Sequence, residues 1–187
     1  MASVAIVPAA GRADRFGSAK LLALVNGEPL LNWTLWALLD GGVKHVVVVT
    51  AQGADLSSVK LASDPRVKIV VNEDPSRGMF SSIQTGLSAV TGDPILFLPA
   101  DMPFVSSGTV RDVLDACVRR QRIVVPVFED KRGHPIAVPG AMRRPILLAP
   151  ATSTLKDALG SASKLRDELH VGDEGILRDV DTPDDLA

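Results

Sequence analysis

Short, nearly continuous apolar runs alternate with amphipathic stretches along residues 4–127, and this alternation constrains the fold more than any other feature. The runs are rich in β-branched residues, as is typical of strands buried on both faces of a sheet; they are Val4–Val7, Val46–Val49, Val67–Val71, Ile95–Leu98 and Ile123–Val127. The stretches between them are long enough for crossover helices; they are Pro29–Leu39, Asp55–Leu61, Met79–Val90 and Ser107–Gln121. Alternating strands and helices predict an α/β fold, a three-layer, Rossmann-like, mostly parallel sheet flanked by helices.

The pattern loosens after Val127, where Pro and Gly interrupt every candidate element. We expect this part of the chain to lie as a layer over the sheet and not to form a second domain. A length of 187 residues with 46% hydrophobic residues fits one globular domain, which we place at residues 1–187.

Charge and cysteine content exclude several classes of protein. Twenty lysine and arginine residues against 22 aspartate and glutamate residues give a formal net charge of −2, so we expect no nucleic acid and no membrane as partner. The single cysteine, Cys117, cannot form an internal disulfide and is expected to be a buried apolar residue. The opening MASVAIVPAAG lacks the basic region of a signal peptide, which predicts a cytoplasmic protein.

The segment after the first apolar run has the composition of a phosphate-binding loop. Gly11 and Gly17 allow close approach of the backbone to a polyphosphate, and Arg12, Arg15 and Lys20 supply local positive charge. The segment lacks the Gly-Lys-Ser/Thr of a Walker A loop and the GxGxxG of dinucleotide-binding folds, so an NAD-binding domain is disfavoured.

This segment resembles the MobA-like nucleotidyltransferases, whose opening pattern is roughly AAGxSxRMGxxKxLxxxxGxPLL; here it reads AAGRADRFGSAKLLALVNGEPLL. Ala13 and Phe16 depart from that pattern without removing a charge. The resemblance implies a fold of the nucleotide-diphospho-sugar transferase type. It also implies nucleotide binding by Ala9, Ala10, Gly11, Arg12, Arg15 and Lys20, with Arg15 and Lys20 stabilising charge on the phosphates during catalysis.

A second segment, VNEDPSRGMFSSIQTGL, follows the third apolar run and carries Asn72, Gly78, Ser81 and Ser82. Free N–H groups and hydroxyls at the start of a helix can hold the polar edges of a base or a ribose. The segment resembles the molybdenum-cofactor cytidylyltransferase branch of the family, which implies that these four residues recognise the nucleotide. Alternatively, the serines cap the first turn of their own helix.

Two acidic segments are candidates for a metal site. Asp101 follows an apolar run directly, and Mg²⁺ typically takes one or two carboxylates together with substrate phosphates. The string LPADMP around it resembles the metal-binding motif of the family. This resemblance implies that Asp101 binds the metal and is catalytic, and that Pro99 and Ala100 line the nucleotide. The closing DTPDDL resembles a family string whose first aspartate can be the second ligand, here Asp181, whereas Asp184 and Asp185 are expected to stabilise the start of a short helix.

His134, in DKRGHPIAVPG, is a candidate for contact with the acceptor phosphate or a pterin, although a histidine between Gly and Pro can equally be a turn residue. His45 and His170 are expected to be structural.

The resemblance extends from Val4 to Leu186 and implies Mg²⁺-dependent transfer of a nucleoside monophosphate from an NTP to a phosphorylated small molecule. The best match implies CTP as donor, molybdopterin carrying molybdenum as acceptor and a possible transient contact with a molybdoenzyme. Three alternatives stay open: GTP with molybdopterin, a sugar or polyol phosphate as acceptor, and a non-catalytic accessory protein that binds a nucleotide or cofactor for a molybdoenzyme.

Overall fold

A computed structural model describes residues 2–11, 17–160, 162, 166–182 and 185. The first half contains β1 (Val4–Ala9), β2 (Leu24–Val25), β3 (Glu28–Pro29), α1 (Leu30–Asp40), β4 (His45–Ala51), β5 (Val67–Asn72), α2 (Met79–Ser88) and β6 (Ile95–Phe97). The second half contains α3 (Ser107–Arg120), β7 (Ile123–Phe128), β8 (Lys131–Arg132), β9 (Ile136–Val138), α4 (Arg143–Leu148), α5 (Leu155–Ala158) and β10 (Arg166–His170). Short 3-10 helices lie at Gly17–Leu22, Lys60–Ser63, Pro75–Arg77, Gly140–Met142 and Glu174–Leu177.

Within the described residues, eight strands form one mixed sheet in the order β10-β7-β9-β6-β1-β4-β5, with β8 paired to β7. Neighbouring strands are parallel except that β9 runs antiparallel to β6 and β7, and β8 runs antiparallel to β7. The side chains of β1 alternate between two cores: Ala5 and Val7 pack with α1 and α3, whereas Val4 and Ile6 pack with α2 and α4. Helices therefore cover both faces, which confirms the three-layer α/β prediction.

All five predicted strands are present, and three of the four predicted helices are α1, α2 and α3. Local chemistry explains the ends of α3: the Ser106 hydroxyl accepts from Thr109 N, and Gln121 ends the helix in the left-handed conformation with φ of 52°. Cys117 on this helix is buried, and burial raises the pKa of its thiol to about 12.

Three expectations about the fold are wrong. Asp55–Leu61 forms turns and the start of a 3-10 helix, because the Asp55 carboxylate accepts from Ser57 N and favours a local turn over a helix. β5 is an edge strand and exposes one face, including Ile69 and Val71, instead of being buried on both faces. The C-terminal part is more than a covering layer, since β9 lies inside the sheet and β10 forms its other edge.

No helix in the part of the chain that the structure describes has the length and apolar character needed to cross a membrane.

Candidate active site

The sheet brings the end of β1 next to the segment that follows β6. Leu98 N donates to Ile6 O and Ala100 N donates to Pro8 O. The segment after β6 therefore stays paired with β1 beyond the last residue of β6. On the other side, the buried Thr34 hydroxyl of α1 donates to Ala100 O at 3.0 Å. These bonds fix the backbone that presents Asp101 at the carboxyl edge of the sheet, where open α/β sheets bind ligands.

A strap formed by residues 173–181 reaches the same edge from the C-terminal part of the chain. Val180 N donates to Asp101 O at 2.9 Å, and the Val180 side chain is buried in a small cluster with Val25 and Leu30, against which Trp33 and Phe104 pack. This contact places Asp181, the next residue, beside Asp101.

The strap is held by two close backbone approaches that only glycine permits. A Cβ at Gly175 would lie 2.0 Å from Phe104 O, and a Cβ at Gly133 would lie 2.1 Å from Ile176 O. Asp173, at the start of the strap, accepts from Ser106 N at 2.9 Å, from the Thr109 hydroxyl at 2.6 Å and from Gly175 N at 3.0 Å. Asp173 is not among the residues predicted for the site, although an aspartate two residues before a glycine is typical of such a turn.

Lys20 joins the two acidic segments. Its Nζ donates to Asp101 Oδ2 at 2.8 Å and to Asp181 Oδ1 at 3.0 Å. The exposed fractions of the three side chains are 15% for Lys20, 27% for Asp101 and 59% for Asp181. We call these three residues the carboxylate site; charged groups from three distant parts of the chain meet there at the protein surface.

Electrostatics at the carboxylate site favour the charged lysine. Burial by itself lowers the pKa of Lys20, but hydrogen bonds and charge attraction from Asp101 and Asp181 together outweigh it and raise the pKa above its ordinary value of 10.5. The lysine is therefore an ammonium ion held between two carboxylates.

The donor set of the carboxylate site fits a divalent cation. Carboxylate oxygens of Asp101 and Asp181 lie within 3.0 Å of one nitrogen atom, so both can face the same positive charge. Hard cations such as Mg²⁺ take oxygen ligands of this kind and complete their shell with water and phosphate oxygens. Among the residues that the structure describes, no group of three or more His, Cys, Asp and Glu side chains is arranged to hold a metal ion.

His134 lies close to this site but is not exposed at it. Its backbone N donates to Ile176 O of the strap at 3.0 Å, and its side chain is half-buried. Burial lowers the pKa of His134, and the nearby carboxylates Asp101 and Asp179 oppose that shift without cancelling it. The imidazole is therefore neutral at neutral pH, and its contact with an acceptor stays a prediction.

Asn72, Ser81 and Ser82 form a buried hydrogen-bonded cluster that we call the amide network. Asn72 Nδ2 donates to Ser81 Oγ at 2.9 Å and to Ser82 Oγ at 3.0 Å, and its Oδ1 accepts from Asp74 N at 3.1 Å. The Ser81 hydroxyl donates to Gly78 O at 2.7 Å. All three side chains are at most 2% exposed, so their polar groups satisfy one another, and their role in nucleotide binding stays a prediction.

The other predicted nucleotide-binding residues differ in accessibility. Ala10, Pro99 and Ala100 are buried, and Ala9 is half-buried. Gly11, two residues after the end of β1, is exposed, and among the described residues beyond its chain neighbours none lies within 4 Å of the position that a Cβ would occupy. Arg12 and Arg15, which were predicted to bind the phosphates, lie outside the described residues, as does Asp184. Asp185 accepts from Thr182 N at 2.7 Å and from Asp181 N at 2.9 Å, and so caps the turn that follows the carboxylate site.

Comparison with known proteins identifies the family. The model of the MobA-like NTP transferase domain matches residues 5–168. The chain belongs to the MobA-like NTP transferase family. This membership confirms the predicted family and the prediction that the chain is a nucleotidyltransferase.

The chain is also similar to curated proteins that are named for different activities. The chain is 34% identical over 118 residues, or 63% of its length, to a probable molybdenum cofactor guanylyltransferase of Methanothermobacter thermautotrophicus. It is 32% identical over 120 residues, or 62% of its length, to a 2-C-methyl-D-erythritol 4-phosphate cytidylyltransferase of Bordetella petrii. The matches span 58% and 54% of these relatives, so the chain covers about half of their lengths.

A solved structure resembles the whole fold. Rv0371c from Mycobacterium tuberculosis H37Rv is 25% identical, with a TM-score of 0.81 over 99% of this chain and 95% of that one. The same protein in complex with manganese aligns over 99% of this chain and 96% of that one at 24% identity, with a TM-score of 0.79. Because the alignment covers 99% of this chain, the strands from β1 to β10 belong to a fold that this solved structure shares.

Proposed function

We propose that this protein is a Mg²⁺-dependent nucleotidyltransferase that moves a nucleoside monophosphate from an NTP to a phosphorylated small molecule and releases pyrophosphate. The observation that carries the proposal is the meeting of Lys20, Asp101 and Asp181 at the carboxyl edge of the sheet. One lysine and two carboxylates at this edge are the groups that a triphosphate and a divalent cation require together. Family membership supports the same reaction class.

In this proposal Asp101 and Asp181 hold the metal ion, which when bound supplies positive charge to offset the α-phosphoryl oxygens. Lys20 and Arg15 bind the phosphates of the donor and stabilise the charge that develops during transfer. Gly11 supports close approach of the backbone after β1 to the triphosphate, because none of the described residues beyond its chain neighbours lies within 4 Å of the position that a Cβ would occupy.

The chemical step needs no general base. An acceptor phosphate is already anionic at pH 7, and one of its oxygens attacks the α-phosphorus in line with the bond to the departing group. A new P–O bond forms between acceptor and α-phosphorus while the bond from the α-phosphorus to the bridging oxygen breaks. The bridging oxygen leaves with the β- and γ-phosphates as pyrophosphate, and the residues of the site position and neutralise the reacting groups.

For the substrates we propose CTP and molybdopterin carrying molybdenum, with a transient contact to a molybdoenzyme that receives the product. The sequence Asn72 to Ile83 supports the cytidylyltransferase branch. GTP is the second candidate donor, because one curated relative is a probable molybdenum cofactor guanylyltransferase. For a chain of this kind we propose a cytoplasmic location.

The test is pyrophosphate release by the purified protein with Mg²⁺ and each of CTP, GTP, UTP and ATP. The acceptors are molybdenum-loaded molybdopterin and a panel of sugar and polyol phosphates. Turnover with CTP and the pterin alone is the expected result. Turnover with another pair keeps the reaction class and changes the substrates. No pyrophosphate release with any pair overturns the proposal and favours a non-catalytic accessory protein. Equilibrium dialysis then measures the nucleotide affinity of that protein.

A further inference from the structure

Lys20 occupies the position between the two carboxylates that a metal ion would need. Its Nζ lies 2.8 Å from Asp101 Oδ2 and 3.0 Å from Asp181 Oδ1. The lysine is also the least exposed of the three side chains, at 15%. The Lys20 side chain is thus more shielded from solvent than its two partners, and its ammonium group bonds to oxygen atoms that a divalent cation would also use.

A second cation cannot simply join this arrangement. Two positive charges within a few ångströms repel each other, and the repulsion is weakened only in part where the site is partly buried. A lysine is a flexible point charge with four methylene groups, so its ammonium group can leave one partner for another. The metal and Lys20 therefore compete for the same two carboxylates.

We propose that Lys20 is a built-in competitor for the metal: in the free protein it holds Asp101 and Asp181, and a divalent cation binds them tightly only after the lysine has left. The inference rests on the proposed function, in which the triphosphate is the group that draws Lys20 away. A consequence is that metal and nucleotide load together, because the free carboxylate site has little affinity for the metal alone.

The test measures Mn²⁺ binding without any nucleotide, from the electron paramagnetic resonance signal of free Mn²⁺ during titration. Lys20→Met removes the ammonium group and keeps a side chain of similar length. We expect it to lower the Kd for Mn²⁺ about tenfold, the low end of what one neighbouring charge contributes near a protein surface. Lys20→Gln provides a second variant, and thermal unfolding establishes that each variant is folded.

Two controls make the result specific. Lys60→Met removes another lysine that pairs with a carboxylate, Glu28, and is expected to leave the Kd unchanged. Adding Asp101→Asn to Lys20→Met is expected to abolish the gain in affinity. An unchanged Kd in both folded Lys20 variants, no Mn²⁺ binding by any variant, or a gain that survives Asp101→Asn overturns the inference.

The outcome is separable from that of the proposed function. Pyrophosphate release by the wild-type protein together with an unchanged Kd in the Lys20 variants leaves nucleotidyl transfer standing and removes the competition. Tighter Mn²⁺ binding by Lys20→Met, together with no pyrophosphate release with any substrate pair, supports the competition between Lys20 and the metal and overturns nucleotidyl transfer.

Discussion

The carboxylate site and the amide network are both polar clusters that follow strands of the same sheet, yet they are built in opposite ways. The carboxylate site combines three charges, and Asp101 and Asp181 expose 27% and 59% of their side chains. The amide network is neutral, and Asn72, Ser81 and Ser82 are at most 2% exposed. One cluster is open to solvent and the other is closed.

This difference separates groups that can change partners from groups that cannot. A buried amide whose hydrogen bonds are all made loses much and gains little by turning to a ligand. Exposed charges exchange partners at low cost, because water and ions already compete for them. We therefore expect the carboxylate site to determine activity and the amide network to determine stability.

Replacing Asp101 by Asn tests whether the carboxylate site determines activity. The change removes a negative charge that faces Lys20 and, in the proposed reaction, the metal. We expect pyrophosphate release to fall by about two to three orders of magnitude, as when a group that stabilises transition-state charge is removed. The free energy of unfolding should change by less than about 1 kcal/mol, since the ion pair is partly exposed.

Asp64→Asn is the matched control for that variant. Asp64 also faces a cation, Arg66 Nη2 at 2.8 Å, but lies in the turn before β5, and its loss should leave pyrophosphate release unchanged. A folded Asp101→Asn protein with wild-type turnover would remove Asp101 from the catalytic site.

Replacing Asn72 by Ala tests the closed half. The change leaves the buried Ser81 and Ser82 hydroxyls without their donor, and each buried group left unpaired costs about 1–3 kcal/mol. It also removes the acceptor of the backbone N–H of Asp74, an exposed residue that can bond to water instead. We expect a loss of that order in the free energy of unfolding, measured with urea, and an unchanged nucleotide affinity in the fraction that is folded. Ser88→Ala, an exposed serine on the same helix, should be neutral.

The opposite result would show that the amide network is not closed to ligands. A variant Asn72→Ala with wild-type stability and nucleotide affinity at least tenfold weaker would mean that the amide network opens to bind the base or ribose, as the resemblance to the cytidylyltransferase branch predicts.

The strands that the sequence predicts have an apolar pattern of their own, whereas the strands that it does not predict depend on their neighbours in the sheet. β1, β4, β6 and β7 are buried in the sheet and read as continuous apolar runs. β9 has three residues between two prolines, and β10 reads RDELH, so neither carries a period that composition alone reveals. Their places depend on pairing with β6 and β7, which is a tertiary property.

The candidate site was predictable in its residues but not in its geometry. A recognisable motif contains each of the three residues Lys20, Asp101 and Asp181. The position of Asp101 directly after a strand also predicts the edge of the sheet at which it lies. The contact between Lys20 and Asp181 joins residues 161 positions apart, and no sequence spacing encodes it. It depends on the strap, which is anchored by the Asp173 carboxylate and by the close backbone approaches at Gly133 and Gly175.

Asp173 combines features of the two clusters. It is a carboxylate in the strap that leads to the carboxylate site, but, like the side chains of the amide network, it is held by several hydrogen bonds within the protein. Burial favours the neutral form, but hydrogen bonds from Thr109, Ser106 and Gly175 outweigh it and hold the pKa of Asp173 below its ordinary value of 3.8. Asp173→Asn keeps one acceptor oxygen and loses the other, so we expect a loss of about 1–3 kcal/mol in the free energy of unfolding at neutral pH.

The pH dependence of the free energy of unfolding shows whether Asp173 holds the strap as an ionised carboxylate or only as a neutral polar group. Because the folded pKa is lowered, the stability that Asp173 contributes is fully present above the unfolded value, about 3.9, and is lost as the pH falls through the folded value. Urea unfolding from pH 7 to pH 3 should therefore show a constant gap between wild type and Asp173→Asn down to about pH 4.5 and a narrowing gap below it. Glu174→Gln, the exposed neighbour, should show no such gap at neutral pH. A gap that stays constant to pH 3 would mean that the ionised carboxylate of Asp173 does not hold the strap, and that Asp181 reaches the carboxylate site by other contacts.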